Sequence, residues 1–232
     1  MMEDKQLQAR NYLLEYGLDA VVPLEAQPHM TISNYKPGEW VCSQGEVADT
    51  LSFLVQGKIK IYTTSTEGRT LILSFKTPLD LVGDIEYVQR CETLNTVEAV
   101  TPVVMLSIQY RWLDKYGSQD AAFLRFLLDI ITKKFFMKSS SLSFNLLYPA
   151  EVRLASYLLS VADDDPGRPS LSPLKVEDLK DAASLIGISY RHMNRILSQW
   201  VEAKLIKRAA EGITIMNRDE LKELSKYGSY ES

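Results

Sequence analysis

The 232-residue chain has few of the residues that build covalent or metal-held scaffolds: two cysteines, Cys42 and Cys91, and two histidines, His29 and His192. With no CxxC pair and no histidine beside either thiol, neither a disulfide framework nor a zinc site within one chain can be assembled, and no metal site is expected. The chain also lacks any apolar run near the roughly 18 residues of a membrane span, and residues 1–10 are polar rather than signal-like. A cytoplasmic protein with no membrane partner is therefore expected. A basic excess is missing as well, because 26 Lys and Arg face 30 Asp and Glu, a net charge of -4. At first count that balance argues against nucleic acid as a partner. What remains is ordinary: 46% hydrophobic and 24% charged residues suit a globular chain of one large or two smaller domains.

A helical lead-in at residues 5–16 carries Leu7, Tyr12 and Leu13 on one face. The pattern changes at Pro28. Residues 30–35, 39–44, 50–57, 58–64, 70–75, 95–101 and 102–108 are short alternating segments separated by Pro37-Gly38, Gly45, Gly57, Glu67-Gly68 and Pro78. Strands of that length, punctuated by turn formers, predict an antiparallel jelly roll or barrel. Cys42 alternates with Trp40 and reads as a buried, inert thiol; Cys91, among Gln89, Arg90 and Glu92, reads as exposed and reactive.

From Ser118 to Asn145 there is neither glycine nor proline, and Leu124, Leu128, Ile131, Phe135 and Leu142 recur at helical spacing, interrupted by Lys138. This is an a/d seam of nearly three heptads. A helix packed only on its own barrel would need one apolar face, whereas Phe123, Phe126, Leu127, Ile130 and Phe136 supply a second. A parallel dimer uses both. Pro149 then ends one helix and opens another, which carries Val152, Leu154, Ala155, Leu158 and Leu159 before a polar loop at residues 162–169. The expected division is residues 1–117 for the sensor with its lead-in helix, 118–148 for the dimerisation helix and hinge, and 149–232 for the C-terminal domain.

Residues 176–215 are the most informative. A helix over 177–186, with Leu179, Ala182, Ala183 and Ile186 inward, meets Gly187-Ile188-Ser189 and then a second helix over 190–203 with Met193, Ile196, Leu197 and Trp200 inward. A three-residue turn containing glycine between two short amphipathic helices is a helix-turn-helix arrangement. Ser189 stands at the N-cap of the second helix. Its outward face displays Tyr190, Arg191, Asn194, Arg195 and Gln199, groups able to bond base edges or phosphates. Residues 205–208, a break at 209–212 and residues 213–215 add a hairpin, making the unit winged. Outward arginines alone describe any solvated face; the turn, the cap, the inward pattern and the hairpin agree with one another here.

These motifs together resemble the Crp/Fnr superfamily of bacterial transcription regulators over nearly the whole chain. Pro37-Gly38, Ser43-Gln44-Gly45-Glu46, residues 50–57, Glu67-Gly68-Arg69, residues 71–75 and Asp80-Leu81-Val82-Gly83-Asp84 look like its cyclic-nucleotide-binding barrel, and Gly187 to Arg191 with Arg195-Ile196-Leu197 like its recognition helix. Residues 82–86, 187–192 and 215–218 are similar to the YeiL-type branch. The resemblance implies an α+β chain: an N-terminal antiparallel β jelly-roll, a long dimerisation helix and a C-terminal winged helix-turn-helix. It also implies a homodimer on double-stranded DNA with a pseudo-palindromic operator, admits RNA polymerase as a further partner, and involves no catalysis. Base readout falls to Tyr190, Arg191, Asn194 and Arg195, with Ser189, His192, Lys207 and Arg208 on the DNA backbone.

The resemblance exposes gaps too. Cyclic-AMP-binding members carry an Arg-Ser pair for the cyclic phosphate, a use of arginine's affinity for phosphate oxygens. That position falls here at Thr93-Leu94 or Leu94-Asn95, beside Glu92 and Glu98, which argues against cyclic AMP. A [4Fe-4S] cluster needs about four thiolates and finds two. His29 and His192 are ill-placed as heme ligands. The effector, of unknown identity, is expected among Gly83, Asp84, Ile85, Leu94, Asn95, Lys134 and Lys138, where the two lysines would sense an anion. A cupin-like enzyme or small-molecule carrier is the competing class, disfavoured because the barrel segments hold no histidine after His29. A purely structural dimerisation protein would leave Tyr190, Arg191 and Arg195 without a purpose.

Charge then reads locally. Residues 189–208 hold Arg191, Arg195, Lys204, Lys207 and Arg208 against Glu202 alone. Overall acidity does not exclude DNA; it points to weak non-specific affinity confined to one small surface.

Overall fold

The structure is a computed structural model, which describes residues 2–68, 70–161, 170–172, 179–209 and 212–225. It divides into two compact units, one up to Phe135 and one from Phe136 onward. The expected turn residue Arg69, the polar loop 162–169, the first residues of the 177–186 helix and two residues of the wing turn lie outside the described residues.

The first unit opens with α1 (Met2–Glu15) and continues through β1 (Thr31–Tyr35), β2 (Trp40–Cys42), β3 (Thr50–Gln56), β4 (Ile59–Thr64), β5 (Thr70–Lys76), β6 (Asp80–Val82), α2 (Asp84–Gln89), β7 (Thr96–Ala99), β8 (Val103–Gln109) and α3 (Tyr110–Tyr116). All seven expected strands form. The sixth in order, β6, and the helices α2 and α3 come in addition. The strands make two antiparallel four-stranded sheets, β1-β8-β3-β6 and β2-β7-β4-β5, the jelly-roll layering that the alternation implied.

In β3 the burial is continuous rather than alternating, five consecutive residues from Leu51 to Val55 being buried. The sheet is covered on both faces, which removes the need for alternation. Leu51, Phe53 and Val55 pack with Ala9 and Leu13 of α1 and with Phe123 and Leu127 of the long helix α4 (Ala121–Leu147). Leu54 joins Ile59, Val97, Ala99, Val103 and Met105 in a smaller core between the sheets. One expectation is corrected here: Leu7 is 60% exposed, since Ala9 and Leu13 form the buried stripe of α1; on the second apolar face of α4, Phe126 and Ile130 are half-buried and Phe136 is 72% exposed.

Asp120 caps α4, its carboxylate accepting the Phe123 N–H at 2.8 Å. Along the helix Phe123 and Leu127 are buried, whereas Leu124, Leu128, Phe135 and Leu142 are exposed and Ile131 is half-buried.

The second unit contains α5 (Ala150–Val161), β9 (Ser170–Ser172), α6 (Leu179–Leu185), α7 (Tyr190–Glu202), β10 (Ile206–Ala209), β11 (Gly212–Ile215) and α8 (Arg218–Ser225). The hairpin β10-β11 gains β9 as a third antiparallel strand, Thr214 standing opposite Leu171. Ile196, Leu197 and Trp200 follow Met193 at helical spacing, so the four form one stripe, and they bury against Leu154, Leu158, Ala182 and Ile213. No helix among the described residues is long and apolar enough to cross a membrane.

Candidate DNA interface and sensor site

In the second unit, Ser189 has extended backbone dihedrals and its hydroxyl accepts the His192 N–H at 3.1 Å, so it caps α7 as its position suggests. The turn before it needs Gly187, whose φ is +70°. Arg153 of α5 secures that turn by donating to the carbonyls of Ile186 and Gly187. Nothing near Arg153 in sequence marks it for this task, and the sequence reading missed it. Its Nε is buried without a partner among the described residues.

Tyr190, Arg191, Arg195 and Gln199 are exposed on α7, opposite its buried stripe, and Lys207 is exposed on β10. His192 is half-buried. Asn194 differs from its neighbours: its amide donates to the Tyr190 carbonyl at 2.9 Å and accepts from Arg208 at 2.8 Å. Both residues are half-buried. The sequence assigned them separately, one to bases and one to phosphates, but they form one bridge between helix and wing.

In the first unit, Gly83 joins β6 to α2 with φ +89°, and a Cβ there would run into the Thr50 carbonyl. The Tyr110 hydroxyl donates to the Gly83 carbonyl at 2.7 Å. Burial, with the charges of Glu86 and Asp84 behind it, pushes the Tyr110 phenol well above its ordinary range. Asp84 is 3% exposed and sits on Lys134 of α4, whose ammonium lies 2.9 and 3.0 Å from its two oxygens. The same ammonium donates to the Leu81 carbonyl at 2.7 Å and stands 3.2 Å from Asp80, which Lys76 also engages at 2.8 Å. Lys134 thus meets two carboxylates of its own chain instead of standing open to an anion, and the four charges balance. Lys138 belongs to the second unit.

Ile85 and Leu94 are exposed and Asn95 half-buried, and Thr93, Leu94 and Asn95 carry no cation to this end of the barrel. Glu86, absent from the expected set, is buried and accepts the Leu94 N–H at 3.0 Å. A groove of about 540 Å³ is found elsewhere, lined by Gln8, Tyr12, Asn34, Tyr35, Lys36 and Gln56 among others and by none of residues 83–95. Cys42 and Cys91 are both half-buried, and burial pushes the Cys42 thiol up to about 12.

Residues 32–120 match the cyclic nucleotide-binding domain and residues 152–224 the Crp-like helix-turn-helix domain. The chain belongs to the Crp/Fnr family. This Crp/Fnr chain is 26% identical over 187 residues to the regulatory protein YeiL of Escherichia coli O157:H7, covering 81% of its own length and 82% of that protein. It is 24% identical over 191 residues to the cAMP-activated global transcriptional regulator CRP of Salmonella typhimurium, covering 81% and 90%. The fold is shared with a CRP-family regulator of Thermus thermophilus, at a TM-score of 0.70 and 18% identity, over 86% of this chain and 98% of that one. It is shared likewise with the c-di-GMP responsive regulator CLP of Xanthomonas campestris, at 0.71 and 16%, over 81% and 94%. These relatives are regulators, not enzymes, and with the Crp-like helix-turn-helix domain this Crp/Fnr chain is a DNA-binding transcription regulator.

Proposed function

We propose that the regulator acts in the cytoplasm as a homodimer joined along α4, and that it reads a pseudo-palindromic operator with α7 and the wing in concert with RNA polymerase. The observation that carries the reading is the capped helix α7, with Arg191 and Arg195 exposed opposite a fully buried stripe. Leu124, Leu128, Phe135 and Leu142, at exposures of 43 to 74%, support the dimer, because a soluble protein seldom leaves a contiguous apolar stripe without a partner. Tyr190, Arg191 and Arg195 contact bases; Ser189, His192 and Lys207 contact phosphates. Asn194 acts by holding Arg208 towards the DNA backbone. Gly83, Asp84, Ile85, Leu94, Asn95 and Lys134 form the sensing end of the barrel, which answers to an effector other than cyclic AMP.

The test starts from an operator selected out of a random duplex library, titrated at several salt concentrations. Arg195→Ala should lose about 1–3 kcal/mol on that operator and relax preference at one base position. If the variant binds operator and random duplex as wild type does, α7 does not read bases.

A further inference from the structure

The sensor holds a buried carboxylate that the reading above leaves without a task. Glu86 lies in the first turn of α2, is 9% exposed, and directs Oε1 at the backbone N–H of Leu94, 3.0 Å away. The segment it holds is fastened from its other side as well. The Thr93 N–H donates to the Glu46 carbonyl at 2.9 Å, the Thr93 carbonyl accepts from Gly45 at 2.8 Å, and Thr96 Oγ1 accepts from the Gln44 N–H at 3.1 Å. Thr93 and Thr96 are themselves buried.

A nucleotide-binding barrel needs something different from this segment: a cation and free N–H donors for a phosphate. Here the donor at Leu94 is already taken, and the group that takes it is an anion. The carboxylate is buried, and its charge adds to burial in pushing the Cys42 thiol and the Tyr110 phenol up. Asp84 adds a second carboxylate at the start of the same helix, and Lys134 is occupied in balancing it. A phosphate entering near Leu94 would therefore displace one hydrogen-bonded carboxylate and meet its negative charge. The residues present do not fit a cyclic nucleotide.

We infer that Glu86 is an internal ligand of the sensor: its carboxylate occupies the Leu94 N–H in place of an effector's oxygen and keeps this end of the barrel closed to cyclic nucleotides and other small phosphates. The inference deepens the proposed function and rests on reading residues 83–95 as the sensing segment. Glu86 also gives the loop its fastening, so the loop is ordered without any bound molecule.

The experiment uses the full chain as wild type, Glu86→Gln and Glu86→Ala, with amide hydrogen exchange read at Leu94 and calorimetric titration with cyclic AMP, cyclic GMP and inorganic phosphate. Wild type should give no binding heat up to about 1 mM of any of the three. Glu86→Ala should speed exchange at Leu94 by about tenfold or more, as expected for losing a hydrogen bond to a charged acceptor. Glu86→Gln keeps the shape and a neutral acceptor, and its exchange should fall between wild type and Glu86→Ala, which separates loss of the bond from loss of the fold. Binding of a cyclic nucleotide by wild type, or unchanged Leu94 exchange in Glu86→Ala, would overturn the inference. Operator binding by wild type is measured in parallel; its absence strikes the proposed function, while exchange at Leu94 decides the role of Glu86 independently.

Discussion

Replacing Lys134 by methionine removes one ammonium and leaves most of the side chain's packing in place. The consequence follows from what that ammonium touches. Asp80 keeps Lys76 at 2.8 Å and the Leu81 N–H at 2.8 Å, so it remains compensated. Asp84, with a side chain 4% exposed, loses the cation that holds both its oxygens, and the Leu81 carbonyl loses a donor at 2.7 Å. Removing one partner of a buried pair costs about 3–5 kcal/mol, because the remaining charge stays desolvated. Lys134 is 20% exposed, so some water reaches the site and the lower end, about 3 kcal/mol, is the right expectation. For a chain of this size that lowers the melting temperature by about 6–12 °C. Differential scanning calorimetry on the intact protein reads the shift. The double variant Lys134→Met/Asp84→Leu should recover most of the loss, since an apolar pair of similar volume escapes the desolvation cost. A single variant that melts within about 1 °C of wild type would refute the reasoning, as would a double variant no more stable than the single.

Two further outcomes follow from the same end of the barrel. Gly83→Ala combines a φ of +89° with a Cβ directed into the Thr50 carbonyl and 2.8 Å from the Tyr110 hydroxyl. It should lose at least about 1–3 kcal/mol in urea denaturation, and a midpoint equal to wild type would show that the β6–α2 turn is not so confined. Alkylation with iodoacetamide at about pH 8 should modify Cys91 well before Cys42, as read by peptide mass spectrometry, because a thiol at about 12 carries almost no thiolate there. The sign for stability runs the same way: a raised thiol favours the protonated folded form, so its contribution is present at neutral pH and fades as pH climbs from the ordinary 9.0 towards about 12. Earlier labelling of Cys42 would contradict the burial argument.

Much of this could be read from local spacing. The α6–α7 turn, the Ser189 cap and the stripe of Met193, Ile196, Leu197 and Trp200 depend on neighbours within one or two helical turns, and sequence periodicity reports those neighbours directly. The two faces of α4 were legible for the same reason. The strand β9 was not, because three residues carry too little pattern and owe their state to pairing with β11. The charge cluster was hidden more thoroughly: Lys134 and Asp84 are separated by fifty positions, and a lysine on a helix looks alike whether it faces water or a buried aspartate. Expecting Lys134 to greet an anion followed from the family resemblance, which places that helix position at the effector pocket but does not show the partners this chain supplies there. Asn194 misled in a related way, since a polar outward position does not reveal that an arginine fourteen residues on will claim its amide oxygen.

That amide oxygen has a thermodynamic side. A helix and a hairpin joined by backbone alone would each surrender side-chain freedom on reaching a duplex, at about 0.5–1.5 kcal/mol for every long side chain immobilised. Arg208 is already confined by Asn194 in the free protein, so its share of that entropy is lost during folding, when the core of the second unit compensates it. In the docking proposed above, the wing and α7 arrive at DNA as a preformed jaw, and affinity gained this way carries no base preference of its own.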